Sequence, residues 1–395
     1  MDIDFLKPEI QEFINTNIGA DVSRLALSKN PFPGSDWLQI LNQVAAKTKA
    51  KDKLPTWFKT GTIIYPAKVS VEQTSSEKTA FYKSSIVSGG KLIDMSGGFG
   101  VDDYYFAQKV SEVIHCEINP ELSTIVNHNV QALGTSNMEC LNGDSTEILK
   151  NLNTNFDWIY VDPSRRNDAK GKVFMLKDCL PNVPELLQFY FSFSDNILIK
   201  TAPILDISAG LTELQNVKAI HIVAVENEVK ELLWELSKGY TAGPEIKTIN
   251  ILKDKTESFN FYPDGETVTS IISSVQQYLY EPNSAIMKSG GFEQIGSSYG
   301  LGKLHRHSHL YTSDKIIHFP GRVFEVQKVI PYAKNEMKAI LQNGKFNITT
   351  RNFPETVENI RKKWKIKDGG DHYCFFTTDS NNDKIVLICT KINLQ

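Results

Sequence analysis

The chain has 395 residues, of which 43 are Lys or Arg and 46 are Asp or Glu, for a formal net charge of -3. That balance excludes a globally basic nucleic-acid binder, though not a local basic groove. The length favours two or three domains. The five cysteines (Cys116, Cys140, Cys179, Cys374 and Cys389) are odd in number and form no Cys-x-x-Cys pair. Neither a disulfide framework nor a zinc ribbon is expected. The N-terminus, MDIDFLKPEIQEFI, carries acids where a signal peptide needs positive charge, and no apolar run approaches the roughly 18 residues of a membrane span. The expectation is a soluble cytoplasmic protein.

Residues 1–85 read as a helical region, with apolar residues at helical spacing in PEIQEFINTNI and DWLQILNQVAAKTKA. Asn30-Pro31-Phe32-Pro33-Gly34 interrupts them as a turn. From Lys91 strand-like and helix-like runs alternate: KLIDM, VDDYYFAQKVS; VIHCEI, PELSTIVNHNVQAL; MECLNGD, STEILKNL; FDWIYVDP, PELLQFYFSF; NILIKTAP, ISAGLTELQN. Such alternation predicts an α/β domain, a parallel sheet covered on both faces. VKAIHIVAVENEV and EIKTINILK, separated by KELLWELSKG, supply two further strands. Beyond about residue 255 the alternation is lost, and mixed strand and helix signals predict small α+β domains. The limits expected are 1–85, 86–255, 256–322 and 323–395.

The first strand runs into IDMSGGFGVDD, residues 93–103. The first βα turn of a parallel α/β sheet normally provides a ligand site, and glycine there lets a ligand approach without a Cβ in the way. A dinucleotide fingerprint would continue to a third glycine inside the helix. Here Gly98-x-Gly100 is followed by Val101-Asp102-Asp103, and two acids at the helix start would repel a diphosphate. Asp94, ahead of Ser96, Gly97, Gly98 and Gly100, suits a ligand with a cationic amino group.

The second strand ends in Glu117, where an acid accepts hydrogen bonds from ribose hydroxyls. The third ends in Asn142-Gly143-Asp144, placed for an adenine amino group. Together these acids describe an adenosine without phosphates, S-adenosylmethionine. Each has a plainer reading alone: Glu117 with Asn119-Pro120 as a helix start, and Asp144 as the N-cap of STEIL.

On IDMSGGFG, HCEINPEL, NGDSTEIL and YVDPSRR, residues 75–255 resemble the class I S-adenosylmethionine-dependent methyltransferases. EQTSSEKTAFYK, DMSGGFGVD, VDPSRR, IKTAPILD and RNFPETVENIRKKWKIKDGGD are similar to the bacterial group with ferredoxin-like and THUMP-like C-terminal domains. The resemblance implies a Rossmann-like seven-stranded sheet in the order 3-2-1-4-5-7-6, with the last strand antiparallel. It also implies a cofactor site of Asp94, Ser96, Gly97, Gly98, Gly100, Glu117, Asn119, Asp144 and Pro163, and an RNA substrate.

FDWIYVDPSRR ends where methyl donor and acceptor meet. Methyltransferases acting on exocyclic amines carry Pro-aromatic after Asp/Asn-Pro; this chain has Ser164-Arg165-Arg166 after Asp162-Pro163. Asp162 is expected to face the acceptor, and Arg165 and Arg166 to grip a phosphate or carboxylate on it. Pyrimidine C5 methylation needs a cysteine nucleophile, and Cys179 is placed in a helix beyond the arginine loop, so direct transfer is expected. Lys200 and Tyr82 are candidate substrate contacts, with Gln73 and Glu77 as lid or acceptor contacts.

His305, His307 and His309 would share one face of a strand, but no acid that would orient them is evident nearby, the stretch reads equally as a polar loop, and no metal is expected. Arg361, Lys362, Lys363, Lys365 and Lys367 surround Trp364, a pattern suited to RNA or to a solvated helix with Trp364 packed inward. A small-molecule or protein acceptor, a catalytically silent RNA-binding protein and a nicotinamide oxidoreductase are the alternatives.

Overall fold

The computed structural model describes residues 4–66, 68–165, 175–265 and 268–393. The chain divides into two compact units, Met1–Lys218 with Leu232–Thr241, and Ala219–Glu231 with Ala242–Gln395.

The first unit opens with six helices: α1 (Pro8–Thr16), α2 (Val22–Ala26), α3 (Trp37–Lys53), α4 (Pro55–Lys59), α5 (Lys68–Gln73) and α6 (Glu77–Ser84). Polar side chains start several of them. Asp36 accepts from the backbone N–H groups of Leu38 and Gln39, and Ser76 from that of Thr79; each satisfies donors that an isolated helix start leaves orphaned. Between α4 and α5, residues 63–66 are buried and lie in no helix or strand, so their backbone must be satisfied otherwise. Two amides do this. Asn129 bonds both N and O of Ile64 (2.8 Å each), and Gln43 bonds N and O of Tyr65 (3.0 and 2.7 Å).

The alternating part follows as β1 (Lys91–Asp94), α7 (Val101–Phe106), β2 (Glu112–Glu117), α8 (Pro120–Ala132), β3 (Met138–Asn142), α9 (Ser145–Leu152), β4 (Trp158–Val161), two short strands β5 (Ser164–Arg165) and β6 (Cys179–Leu180), α10 (Val183–Tyr190), β7 (Asn196–Thr201), α11 (Ile207–Glu213), β8 (Val217–Val225) and β9 (Glu228–Ser237). β1 lies between β2 and β4, parallel to both, and β4 is parallel to β7. β9 runs antiparallel to β7. Strands β1 and β4 are buried almost throughout, as both faces of such a sheet require.

Two further strands, β10 (Glu245–Ile251) and β11 (Thr256–Phe261), extend the sheet, whose order is β11-β10-β8-β9-β7-β4-β1-β2-β3. It counts nine strands, where seven are expected from sequence. KELLWELSKG, expected only to separate two strands, lies largely in β9. Residues 231–236 of β9 are buried without alternation, which hides a strand from a period-two reading.

The second unit carries a seven-stranded sheet, ordered β13 (Gly302–Lys303), β14 (Tyr311–Ser313), β12 (Tyr278–Pro282), β15 (Gly321–Pro331), β18 (Lys384–Ile392), β17 (His372–Thr378) and β16 (Asn347–Thr350), with helices α12 (Ser284–Ser289), α13 (Phe292–Ser298), α14 (Lys334–Ile340) and α15 (Val357–Trp364). One of its cores gathers Ile330, Met337, Leu341, Ile360, Trp364 and Phe376. Among the described residues, no helix is long and apolar enough to cross a membrane.

Candidate methyl-donor and acceptor site

β1 ends at Asp94, whose buried carboxylate Oδ1 accepts from the backbone N–H (2.7 Å) and the hydroxyl (2.8 Å) of Ser96. The Ser96 hydroxyl in turn accepts from the Asp162 N–H at 2.7 Å. One serine thus ties the end of β1 to the end of β4. The turn then requires glycine. A Cβ on Gly97 would lie 2.3 Å from the His115 ring and 2.7 Å from the Cys116 carbonyl oxygen, and Gly100 caps α7 at φ +72°.

Glu117, at the end of β2, receives the Gly98 N–H on Oε2 (2.9 Å) and the Asn119 N–H on Oε1 (2.7 Å). Its carboxylate is therefore fixed against the glycine turn. Asn119 N-caps α8, its side chain accepting from Glu121 and Leu122. Asp144 N-caps α9 through Oδ1, accepting from Thr146 (2.9 Å) and Glu147 (3.1 Å). The plainer capping readings of Asn119 and Asp144 are thus realised. Asp144 is exposed, and neither cap bond engages its Oδ2.

Beneath the turn lies a group that the sequence reading missed. Asp94, Asp103 and His115 are all buried, with ligand-type atoms mutually within 4.8 Å, and His115 Nδ1 lies 2.6 Å from Asp103 Oδ2. Burial and the Asp103 charge push the Asp94 carboxyl well up, against His115 and the two Ser96 bonds. Burial and the Asp102 charge push Asp103 well up, against its bond with Asp94. Burial holds the imidazole of His115 low, against Asp94 and Glu117. The available signal was a titratable residue inside the otherwise apolar VIHCEI.

At the end of β4, the Asp162 carboxylate is ion-paired with Lys200, from the end of β7. Pro163 is buried. Arg165 lies in β5, whose partner β6 pairs Arg165 with Cys179 and Ser164 with Leu180. Cys179 is therefore in a strand beside this turn, not in the expected helix: CLPN is too short and proline-broken to propagate one. Its side chain is buried. Cys116 and Cys140 are held far from thiolate formation chiefly by burial, Cys140 being pushed up to about 12. Arg166 lies outside the described residues.

The segment before β1 ends in α6, which packs against α7. Gln73 is exposed, and Tyr82 is half-buried on α6. Glu77 is taken up by Thr56 and Tyr105. Lys83, on the buried face of α6 with Thr79 and Ala80, is fully buried. Its ammonium lies 3.2 Å from Asp102 Oδ1 and 3.1 Å from the Ser75 hydroxyl. Asp102 Oδ2 accepts from Ser75 (2.9 Å) and from the Tyr160 hydroxyl (2.8 Å). This network joins α6, the helix after the glycine turn, and the strand that delivers Asp162.

In the second unit, residues 305–309 form a turn instead of a strand, so the three histidines share no face. His305 bonds Asn382 and Asn352, and His309 stacks on Phe292 with centroids 3.6 Å apart. Trp364 is buried and bonds the Tyr332 hydroxyl, with Lys363 against Glu355. That is the inward-packed arrangement, and it withdraws the indole from base stacking.

A ferredoxin-like domain model matches residues 278–320 and a THUMP domain-like model residues 321–391. The crystal structure of a "putative methyltransferase" from Porphyromonas gingivalis W83 is 30% identical, with 98% of each chain covered and a TM-score of 0.87. The chain belongs to the class I methyltransferase family, in the group with ferredoxin-like and THUMP-like C-terminal domains. More distant solved structures include an rRNA methylase from Streptococcus thermophilus (14% identical, TM-score 0.30, covering 41% of this chain and 95% of that one). Another is TrmK of M. capricolum in complex with S-adenosylhomocysteine (16%, 0.32, 41% and 68%). No curated protein matches.

Proposed function

We propose that this methyltransferase-family chain transfers a methyl group from S-adenosylmethionine to RNA by direct in-line displacement. Asp94, Ser96, Gly97, Gly98, Gly100, Glu117, Asn119, Asp144 and Pro163 form the donor site, and Asp162, Arg165, Arg166, Lys200 and Tyr82 the acceptor side. The observation that carries the donor half is the Glu117 carboxylate, fixed on the Gly98 and Asn119 N–H groups at the end of β2. One lone pair on each oxygen is left for a sugar diol.

The residues fit the donor. The Gly97 cradle leaves no room for a side chain, and the acids around it suit a ligand bearing an ammonium and no phosphate. When bound, the donor supplies an electrophilic methyl on a sulfonium. Asp94 would orient the amino group, Glu117 the ribose, and the exposed carboxylate of Asp144 the adenine edge. Asn119 acts indirectly, by presenting its N–H to Glu117.

On the acceptor side, Asp162 would accept a hydrogen bond from the attacking group and align it with the methyl, and Lys200 holds that carboxylate in place. As the new bond to carbon forms and the C–S bond breaks, the acceptor's proton passes to Asp162 or to water. No cysteine adduct is invoked, since Cys179 is buried. RNA is favoured over a small-molecule or protein acceptor by the THUMP domain-like module. We place the functional domains at 1–85, 86–255, 256–322 and 323–395. Incubation with tritiated S-adenosylmethionine and total RNA, followed by nucleoside analysis, tests the reading: label in one modified nucleoside is expected, and labelled protein without labelled RNA refutes it.

A further inference from the structure

Two carboxyl groups held against each other in a buried interior repel strongly when both are ionised, which favours one of them keeping its proton. Asp94 and Asp103 are in that position, 2% and 0% exposed, with a carboxylate oxygen of each within 4.8 Å of the other's. A proton between them relieves the repulsion. His115 does not supply the counter-charge. Its Nε2 is buried without a partner, against the Gly97 backbone, while Nδ1 faces Asp103 at 2.6 Å. A bare ring nitrogen is tolerated there better than an unpaired N–H, so the imidazole is neutral with its proton on Nδ1, donated to Asp103.

The surrounding charges are otherwise committed. Asp102 on α7 is met by Lys83 of α6 and the Tyr160 hydroxyl of β4. Glu117 of β2 is bound to two backbone N–H groups. The thiols of Cys116 on β2 and Cys140 on β3 are held neutral chiefly by burial.

We propose that Asp94 and Asp103 share one proton beneath the glycine turn, set by His115, and that docking of the donor's ammonium group on Asp94 expels it. Cofactor binding by this chain is then coupled to proton release, and Asp103 and His115 are positioning residues that never touch the cofactor. This rests on the donor site proposed above. The ammonium on Asp94 replaces the shared proton as the positive charge beside the carboxylate pair, so the charge under the turn is conserved while one proton passes to solvent.

Two measurements test this on the full chain. The first is infrared spectroscopy of the resting protein at neutral pH, comparing wild type with Asp94→Asn and Asp103→Asn. The carbonyl stretch of a protonated carboxylic acid is expected in wild type and lost in each variant; its absence from wild type overturns the proposal. The second is calorimetry with S-adenosylhomocysteine in buffers of different ionisation enthalpy. Release approaching one proton per site is expected for wild type and none for Asp103→Asn, in which the amide donates to an already ionised Asp94. Equal release by both proteins, or none by wild type despite binding, overturns it. A wild type that shows the infrared band but binds no S-adenosylhomocysteine removes the donor site, and the coupling with it, while leaving the shared proton standing.

Discussion

The Asp162 carboxylate and the Lys200 ammonium form an ion pair across the carboxyl ends of β4 and β7. Asp162 is also held through its backbone, which donates to Ser96. It is thus fixed to the glycine turn on one side and to the neighbouring strand on the other, with its side chain 38% exposed. A carboxylate so placed is open to an incoming group, as the proposed acceptor role requires. Replacing Asp162 with alanine is expected to lower methyl transfer by about a hundredfold or more while leaving S-adenosylhomocysteine affinity nearly unchanged. Parallel loss of both would move Asp162 to the donor side. Lys200→Met should lower transfer less, because the carboxylate remains and only its orientation is lost.

Glu117 makes the opposite prediction. Its oxygens bind two backbone N–H groups and would accept from the sugar diol. Glu117→Ala is expected to weaken S-adenosylhomocysteine binding by roughly ten- to a hundredfold, the worth of one or two hydrogen bonds to a charged group. Glu117→Gln should fall between. Titration calorimetry reads both, and unchanged affinity in the alanine variant would remove Glu117 from the donor site.

What could be read from the sequence divides along physical lines. The β1 turn, with Asp94, Ser96 and the glycines, was legible because a backbone that must turn sharply in tight packing admits few residue types. The capping of α8 and α9 by Asn119 and Asp144 was legible for a similar reason, as an acid or amide before a helix has a local role. β9 was not, because residues 231–236 are buried without alternation. The partnerships of Lys83 with Asp102 and of His115 with Asp103 depend on residues brought together by packing alone. The sequence offered only a charge on an apolar helix face and a titratable side chain in an apolar strand. The histidines of KLHRHSHLY alternate as in a strand, yet His309 adopts φ +52° and the segment turns.

Gly97 tests the cradle. A methyl group there would meet a ring 2.3 Å away and a carbonyl oxygen 2.7 Å away. Neither can retreat, because the imidazole is anchored to Asp103 and the carbonyl belongs to β2. Gly97→Ala is expected to cost about 1–3 kcal/mol of stability, as overpacking does, and to abolish S-adenosylhomocysteine binding. Thermal unfolding with and without that ligand measures both. Wild-type stabilisation by the ligand in the variant would show that the turn yields more than its packing implies.

Lys83 tests the network behind the turn. It is fully buried beside Asp102, itself only 11% exposed. Lys83→Met leaves Asp102 charged among groups that cannot neutralise it, and the expected loss is about 3 kcal/mol. Lys83→Met with Asp102→Asn removes both charges and should recover much of that loss in urea unfolding. A double variant no more stable than the single one would locate the contribution of Lys83 in its packing instead.

The shared proton also fixes how stability depends on pH. Asp94 and Asp103 have folded-state pKa values raised above those of an unfolded chain, first by burial and then by a neighbouring carboxylate. Above about pH 4, where unfolded carboxyls have lost their protons, the folded state retains one that the unfolded state lacks. Stability from this pair therefore falls as pH rises, by about 1.4 kcal/mol per unit for one proton, until the pair itself ionises. His115 acts with the opposite sign. Burial lowers its pKa, so stability is lost as pH falls below about 6.5, where the unfolded imidazole gains a proton that the folded one refuses. Asp103→Asn should abolish the alkaline decline, because Asp94 then ionises against an amide, while the acid-side decline from His115 persists. Urea midpoints from about pH 6 to about pH 8 measure the slope; identical slopes in wild type and variant would mean that the two carboxyls hold no extra proton.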